Sequence, residues 1–186
     1  MINSVEIEQS KSKFLDKYNR MHSVDKALTK SINAALGRNP LYNEKAKTND
    51  IRRNIKKIWM IHLNEMSKKY YVQSVNREVF IQDVIELKEI MNDSYGMYFS
   101  TEFRISHSQK SLSVFLKHLW CMNMIERPPI CPLDRKILEA AGRKYSEAKW
   151  THINDIEEYA KKISWLQKEA FKINCSLAEW ELLVFK

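Results

Sequence analysis

Three glycines and four prolines leave this 186-residue chain poor in turn-forming residues. A many-stranded sheet needs frequent turns, so the shortage argues against a sandwich or barrel and for long helices joined by short links. Cysteine is scarce as well. Cys121, Cys131 and Cys175 are unevenly spaced and form no Cys-x-x-Cys. An odd count without that motif fits free thiols in a reducing, cytoplasmic setting and not a disulfide framework. His118, Cys121 and Cys131 would begin a metal site, but no fourth ligand follows at zinc-finger spacing, so no metal or other cofactor is expected. No apolar run approaches the roughly 18 residues of a membrane span. The opening residues, MINSVEIEQSKSK, also lack the apolar centre of a signal peptide, so no membrane partner is expected. No cluster of acids at metal-binding spacing points to a metal-dependent nuclease.

Hydrophobic residues make up 44% and charged residues 29%, a globular balance in a chain long enough for one full core. The formal net charge is +8. Much of it is concentrated in residues 38–57, where Arg38, Lys45, Lys47, Arg52, Arg53, Lys56 and Lys57 face only Glu44 and Asp50. A dense cationic stretch suits a phosphate backbone, because neutralising phosphates releases condensed counterions. The same stretch also reads as a solvated helix face.

Helical spacing dominates the apolar pattern. Val24, Ala27, Leu28, Ile32 and Ala35 form a stripe, with Ser23 placed to cap its start and Gly37 beyond its end. A longer stripe runs from Ile51 through Trp59 to Tyr70, and a third from Val79 to Met91, closed near Gly96. Ser106 and Gln109 have capping-box spacing ahead of Leu112, Phe115, Leu116, Leu119 and Trp120. Pro128, Pro129 and Pro132 then end that helix and fix the entry to a short one bearing Ile137, Leu138 and Ala141, stopped by Gly142. Ile156 to Ala170 gives another stripe, and Ser176 with Glu179 a second capping box. The expected fold is all-α: one compact domain, residues 1–186, of seven or eight helices. It divides at most into lobes 1–100, with the basic face, and 101–186. One short strand-like passage, residues 96–105, does not change the class.

The most informative stretch is residues 110–134, KSLSVFLKHLWCMNMIERPPICPLD. Lys110 opens an apolar helix, and a proline-bounded connection delivers Asp134 to the start of the next one. Excising a base requires stabilising positive charge on the sugar as the glycosidic bond breaks, which a nearby carboxylate does electrostatically. A lysine amine can instead attack the sugar carbon once it has shed its proton. Both must sit where an extruded base finds aromatic surface, for which Trp120 and Trp150, and also Trp165, are candidates. Ordinary structure explains each residue too. An acid in a first helical turn is favoured by the macrodipole, a lysine is usually solvated, and tryptophans at helical spacing are usually core.

From about Ser106 onward the chain resembles the helix-hairpin-helix DNA glycosylase superfamily, of the endonuclease-III and 8-oxoguanine glycosylase type. Residues 106–110, Ser-His-Ser-Gln-Lys, stand where the family's hairpin would lie, and Cys131-Pro132-Leu133-Asp134 matches its aspartate motif. The resemblance implies Asp134 and Lys110 as catalytic residues, His107 and Gln109 as phosphate contacts, and duplex DNA as partner. The chain departs from the pattern in having no glycine in the hairpin, a longer connection to the aspartate, and Arg135-Lys136 after it. No four-cysteine iron–sulfur loop is present. The alternative expectation is a non-catalytic helical module binding nucleic acid or a protein partner, such as an accessory of a mobile element or defence system.

Overall fold

The computed structural model describes residues 4–37, 39–144, 147 and 149–185. Eight α-helices are present among them: α1 (Ser4–Tyr18), α2 (Val24–Leu36), α3 (Asn49–Val72), α4 (Arg77–Tyr95), α5 (Ile105–Cys121), α6 (Arg135–Ala140), α7 (Ile156–Lys172) and α8 (Leu177–Val184). Of the strand-like passage, residues 96–104 are a 3₁₀ turn and loop and Ile105 already belongs to α5; its sole β feature is the isolated bridge Tyr42–Phe99.

Local chemistry explains where most helices begin. Ser23, Thr48, Asn76, Asp134, Asp155 and Ser176 each accept a backbone N–H of the first turn they precede, satisfying a donor that the helix itself cannot. Several ends are equally specific. Asn123, Gly142 and Asn174 adopt positive φ. Beyond each, an N–H reaches back five residues, from Met124 to Leu119 (3.0 Å), Arg143 to Leu138 (3.0 Å) and Cys175 to Ala170 (3.1 Å). These are Schellman closures. α5 therefore ends at Cys121, ahead of Pro128 and Pro129, so those prolines shape the connection and do not end the helix.

α5 is the axis of the fold. Every residue of it except Val114 is buried, and α1, α2, α3 and α4 all pack on it. A helix enclosed on all sides is expected to be apolar, yet this one carries Ser106, Ser108, Ser111 and Ser113. Their small side chains let neighbours approach closely. Ser111 Oγ donates to the carbonyl of His107 (2.9 Å) and accepts from Trp59 Nε1 (3.1 Å), and Ser113 Oγ donates to the carbonyl of Gln109. α1 packs on α8 as well as α5, so the first and last described helices meet. The apolar core runs continuously from Ile7 to Leu182, with no break near residue 100. No described helix is long and apolar enough to cross a membrane.

Candidate active site

Lys110 sits in the second turn of α5 and Asp134 immediately before α6, and tertiary packing brings them together. Lys110 Nζ donates to Asp134 Oδ2 at 2.7 Å, with both side chains largely shielded from solvent. The other carboxylate oxygen, Oδ1, accepts from Ile137 N–H at 3.0 Å. Asp134 is thus helix cap and lysine partner at once. Burial alone would raise its carboxyl pKa. The Lys110 charge and hydrogen bond, with the Ile137 N–H, outweigh burial and hold it below the ordinary value.

Gln109 positions the aspartate. Its Nε2 donates to the Leu133 carbonyl (3.1 Å) and its Oε1 accepts from Leu133 N–H (3.2 Å), clamping the residue before Asp134 to α5. Both backbone groups are buried, so Gln109→Leu should leave them unpaired and cost about 1–3 kcal/mol. The expected reading is a lower urea midpoint with an unchanged slope, and an unshifted midpoint would remove the clamp from the account.

The pair lines a cleft of about 480 Å³. Lys110, Val114, Lys117 and His118 of α5 form one side, and α2 contributes Lys30, Asn33 and Ala34. Phe14, Tyr18, Trp150 and Phe185 supply aromatic surface, while Asp134 and Glu181 bring the carboxylates. Trp150 lies near the lysine, with Lys110 Nζ 5.7 Å from its ring centroid. Contacts between residues 150–154 and the start of α5 place it there: Ser106 N–H donates to Ile153 O (2.9 Å) and Ser106 Oγ to Thr151 O (2.9 Å). A second ion pair lies deeper. Lys117 Nζ donates to both oxygens of Glu181, at 2.6 and 2.9 Å. Burial pushes the Glu181 carboxyl up, with Lys117 opposing. His118 is forced down to about 4 by burial, with Lys117 and Lys30 adding to the effect, so its imidazole is neutral at pH 7.

Several sequence expectations are corrected. Residues 106–110 are not a hairpin; they are buried α-helix. Ser106 and Gln109 form no capping box, since Ser106 bonds to Thr151 and Asn39 and Gln109 to Leu133. At the actual start of α5, His107 Nδ1 accepts from Arg104 N–H (3.1 Å). His107 and Gln109 are wholly buried and cannot reach a DNA phosphate. Burial lowers His107 to about 4, though its contact with the Asn39 carbonyl opposes this. Trp120 does not line the cleft; it packs at the far end of α5 with Lys11 Nζ 4.8 Å from its ring. Trp165 is likewise elsewhere, between Arg143 and Lys162. Among the described residues no group of three His, Cys, Asp or Glu side chains converges.

Of the basic stretch, Arg38 lies outside the described residues. Lys45, Lys47, Arg52, Arg53 and Lys57 are exposed and Lys56 half-buried. None of these six lines the cleft. Lys47 and Arg53 pair with Glu44 (2.8 Å) and Asp50 (2.9 Å), and Arg52 Nε donates to the Ala46 carbonyl (2.6 Å). Such solvated pairs open at little cost. Sequence reasoning missed the cleft's own cations, Lys30, Lys117, Arg135 and Lys136, and its partner acid Glu181. The one available signal was that Lys117 follows Lys110 by seven residues, two helical turns, and so shares its face.

No protein-family model, curated protein or solved structure matches this chain.

Proposed function

We propose that this protein binds duplex DNA and excises a damaged or modified base, in the manner of the glycosylases its C-terminal half resembles. The observation that carries the reading is the Lys110–Asp134 pair, 2.7 Å apart at the wall of an aromatic cleft. A carboxylate kept ionised by its surroundings is the group needed where a sugar cation develops, and a water-poor wall strengthens its effect. The cleft's volume falls within the range of small-molecule sites. Its lining holds five cations, Lys30, Lys110, Lys117, Arg135 and Lys136, against two carboxylates, which suits a ligand that arrives with phosphates.

In this scheme the nucleotide enters between Trp150 and the α5 face. The glycosidic bond breaks, and the base leaves with the bonding electrons and takes up a proton. Asp134 stabilises the positive charge left on the sugar. Lys110, whose proton passes to the departing base, can then supply its lone pair to the sugar carbon, and ring opening yields a Schiff base. If water attacks instead, an abasic site results. The test is incubation with duplexes carrying oxidised, alkylated, deaminated or hypermodified bases, read by strand cleavage at abasic sites and by borohydride trapping. Release from none of them ends the enzymatic reading.

A non-catalytic binding module is the second reading, and one observation favours it. The residues aligned with the glycosylase hairpin are buried helix, so that DNA-facing element is not where the resemblance puts it. Both readings place phosphates on the basic stretch. Affinity for duplex DNA should therefore fall by roughly 0.9 log units per phosphate contact per decade of salt. Lys56→Glu with Lys57→Glu should flatten that slope for unrelated sequences alike. Unchanged binding by this double variant would move the nucleic-acid surface away from α3.

A further inference from the structure

We propose that the Lys117–Glu181 pair reads the hydrogen-bonding edge of the extruded base, so that the cleft takes bases whose donor–acceptor edge is intact and rejects those alkylated on it. The inference rests on the reading that this cleft receives a base. Lys110 and Lys117 lie seven residues apart on α5, so their side chains leave the same face about 10 Å apart along the axis. That is roughly the span from an amine beside the sugar carbon, across a purine, to a hydrogen-bond partner at its far edge. Val114, the one residue of α5 that is not buried, lies between them on the cleft wall. A base laid against Val114 would carry its sugar to Lys110 and Asp134 and its opposite edge to Lys117 and Glu181.

The second pair has bonding capacity to spare. An ammonium has three N–H groups and a carboxylate about four lone-pair sites. Lys117 uses two donors on Glu181, and Glu181 accepts no other hydrogen bond among the described residues. The pair thus offers one donor beside free acceptor positions. Phe14 and Phe185, with ring centroids 4.5 and 4.2 Å from Lys117 Nζ, flank it with apolar surface. Adjacent donor and acceptor match the edge of any base that pairs a carbonyl or ring nitrogen with an N–H. Stability alone gives little reason for such a pair, since apolar side chains of similar size are often as good or better in a buried site. A methyl on the edge nitrogen removes the donor to Glu181 and sets an apolar group against the charged pair.

The experiment compares matched ligands in the full chain: guanosine monophosphate against its 1-methyl derivative, and uridine monophosphate against its 3-methyl derivative. Quenching of Trp150 fluorescence is the readout, with Trp150→Phe identifying that residue's share. Methylation adds apolar surface, so a cleft that only stacks bases should bind the methylated member as well or better. The expected result is binding about tenfold or more tighter for each unmethylated member, the scale of one charge-assisted hydrogen bond. Lys117→Met combined with Glu181→Leu should abolish that preference, the two changes together avoiding a lone buried charge. Equal binding, a preference for the methylated member, or no Trp150 response to any of the four overturns the proposal. The wild-type comparison decides even if the double variant does not fold. Failure of the excision reading is seen separately: duplexes with edge-intact lesions would yield neither abasic site nor adduct, whatever the monophosphates show.

Discussion

Asp134→Asn should fold, bind duplex DNA like the wild type, and release base about 10²–10³-fold more slowly, the usual cost of removing one well-aimed electrostatic group. Asparagine keeps the size of the side chain and caps helices about as well as aspartate, so the bond from Ile137 N–H can persist. With its amide oxygen on Ile137 N–H, the amide nitrogen takes the place of Oδ2 and cannot accept from Lys110, so that bond is lost. What disappears is the negative charge that the excision reading sets beside the sugar. Lys110→Gln is the companion variant. It should abolish borohydride trapping, because no amine remains to form the adduct, while release through water attack can continue. Under the binding-module reading the same substitutions give a different result: a modest loss of stability from the broken Lys110–Asp134 bond, and DNA affinity as before. Retention of full base release by Asp134→Asn would remove that residue from the chemistry altogether.

Acid should destabilise the fold from about pH 6.5 downward. His107 and His118 are 0% and 1% exposed, and burial lowers both to about 4, with Arg104 adding to the effect at His107 and Lys117 and Lys30 at His118. An unfolded histidine takes up its proton near pH 6.5. Between about pH 6.5 and 4 the unfolded chain therefore binds more protons than the folded one, and stability falls with falling pH. Each ring contributes up to about 1.4 kcal/mol per pH unit in that window, so the two approach about 2.7. Their contribution is complete above about pH 6.5. Glu181, whose carboxyl is raised, acts in the opposite direction and offsets part of the loss. Asp134, held low, adds to the loss only below the ordinary aspartate range. Urea midpoints at pH 7 and pH 5 measure the effect directly. His118→Leu should remove about half of the difference, since it leaves His107 alone. Equal midpoints at the two values would mean that both rings accept protons without unfolding the chain.

Much of the architecture was legible in the sequence because its causes are local. Apolar residues three and four apart can face a core together only on a helix, so the stripes from Val24 to Ala35 and from Ile51 to Tyr70 mark α2 and α3 directly. Ser23 caps as its position implies, Ser176 and Glu179 form the expected box, and α6 begins three residues after Pro132. α1 was not legible. Only Ile7, Lys11, Phe14 and Leu15 of it are buried, a weak stripe in a polar segment, yet it supplies Phe14 and Tyr18 to the cleft.

The candidate site divides along the same line. The sequence by itself determined that Lys110 starts near one helix beginning and that Asp134 stands at another, because proline and capping chemistry act over a few residues. Only the tertiary structure decided that these two meet at 2.7 Å. It also decided that Lys117 finds Glu181 across 64 residues of chain and that Gln109 holds Leu133 in place of a phosphate. The basic stretch, meanwhile, stands apart from the cleft wall. The physical reason is that helical periodicity tells which residues share a face but not what that face meets. On α5 a polar side chain is equally compatible with solvent, a buried partner or a cleft, and the choice among them rests with helices far away in the sequence.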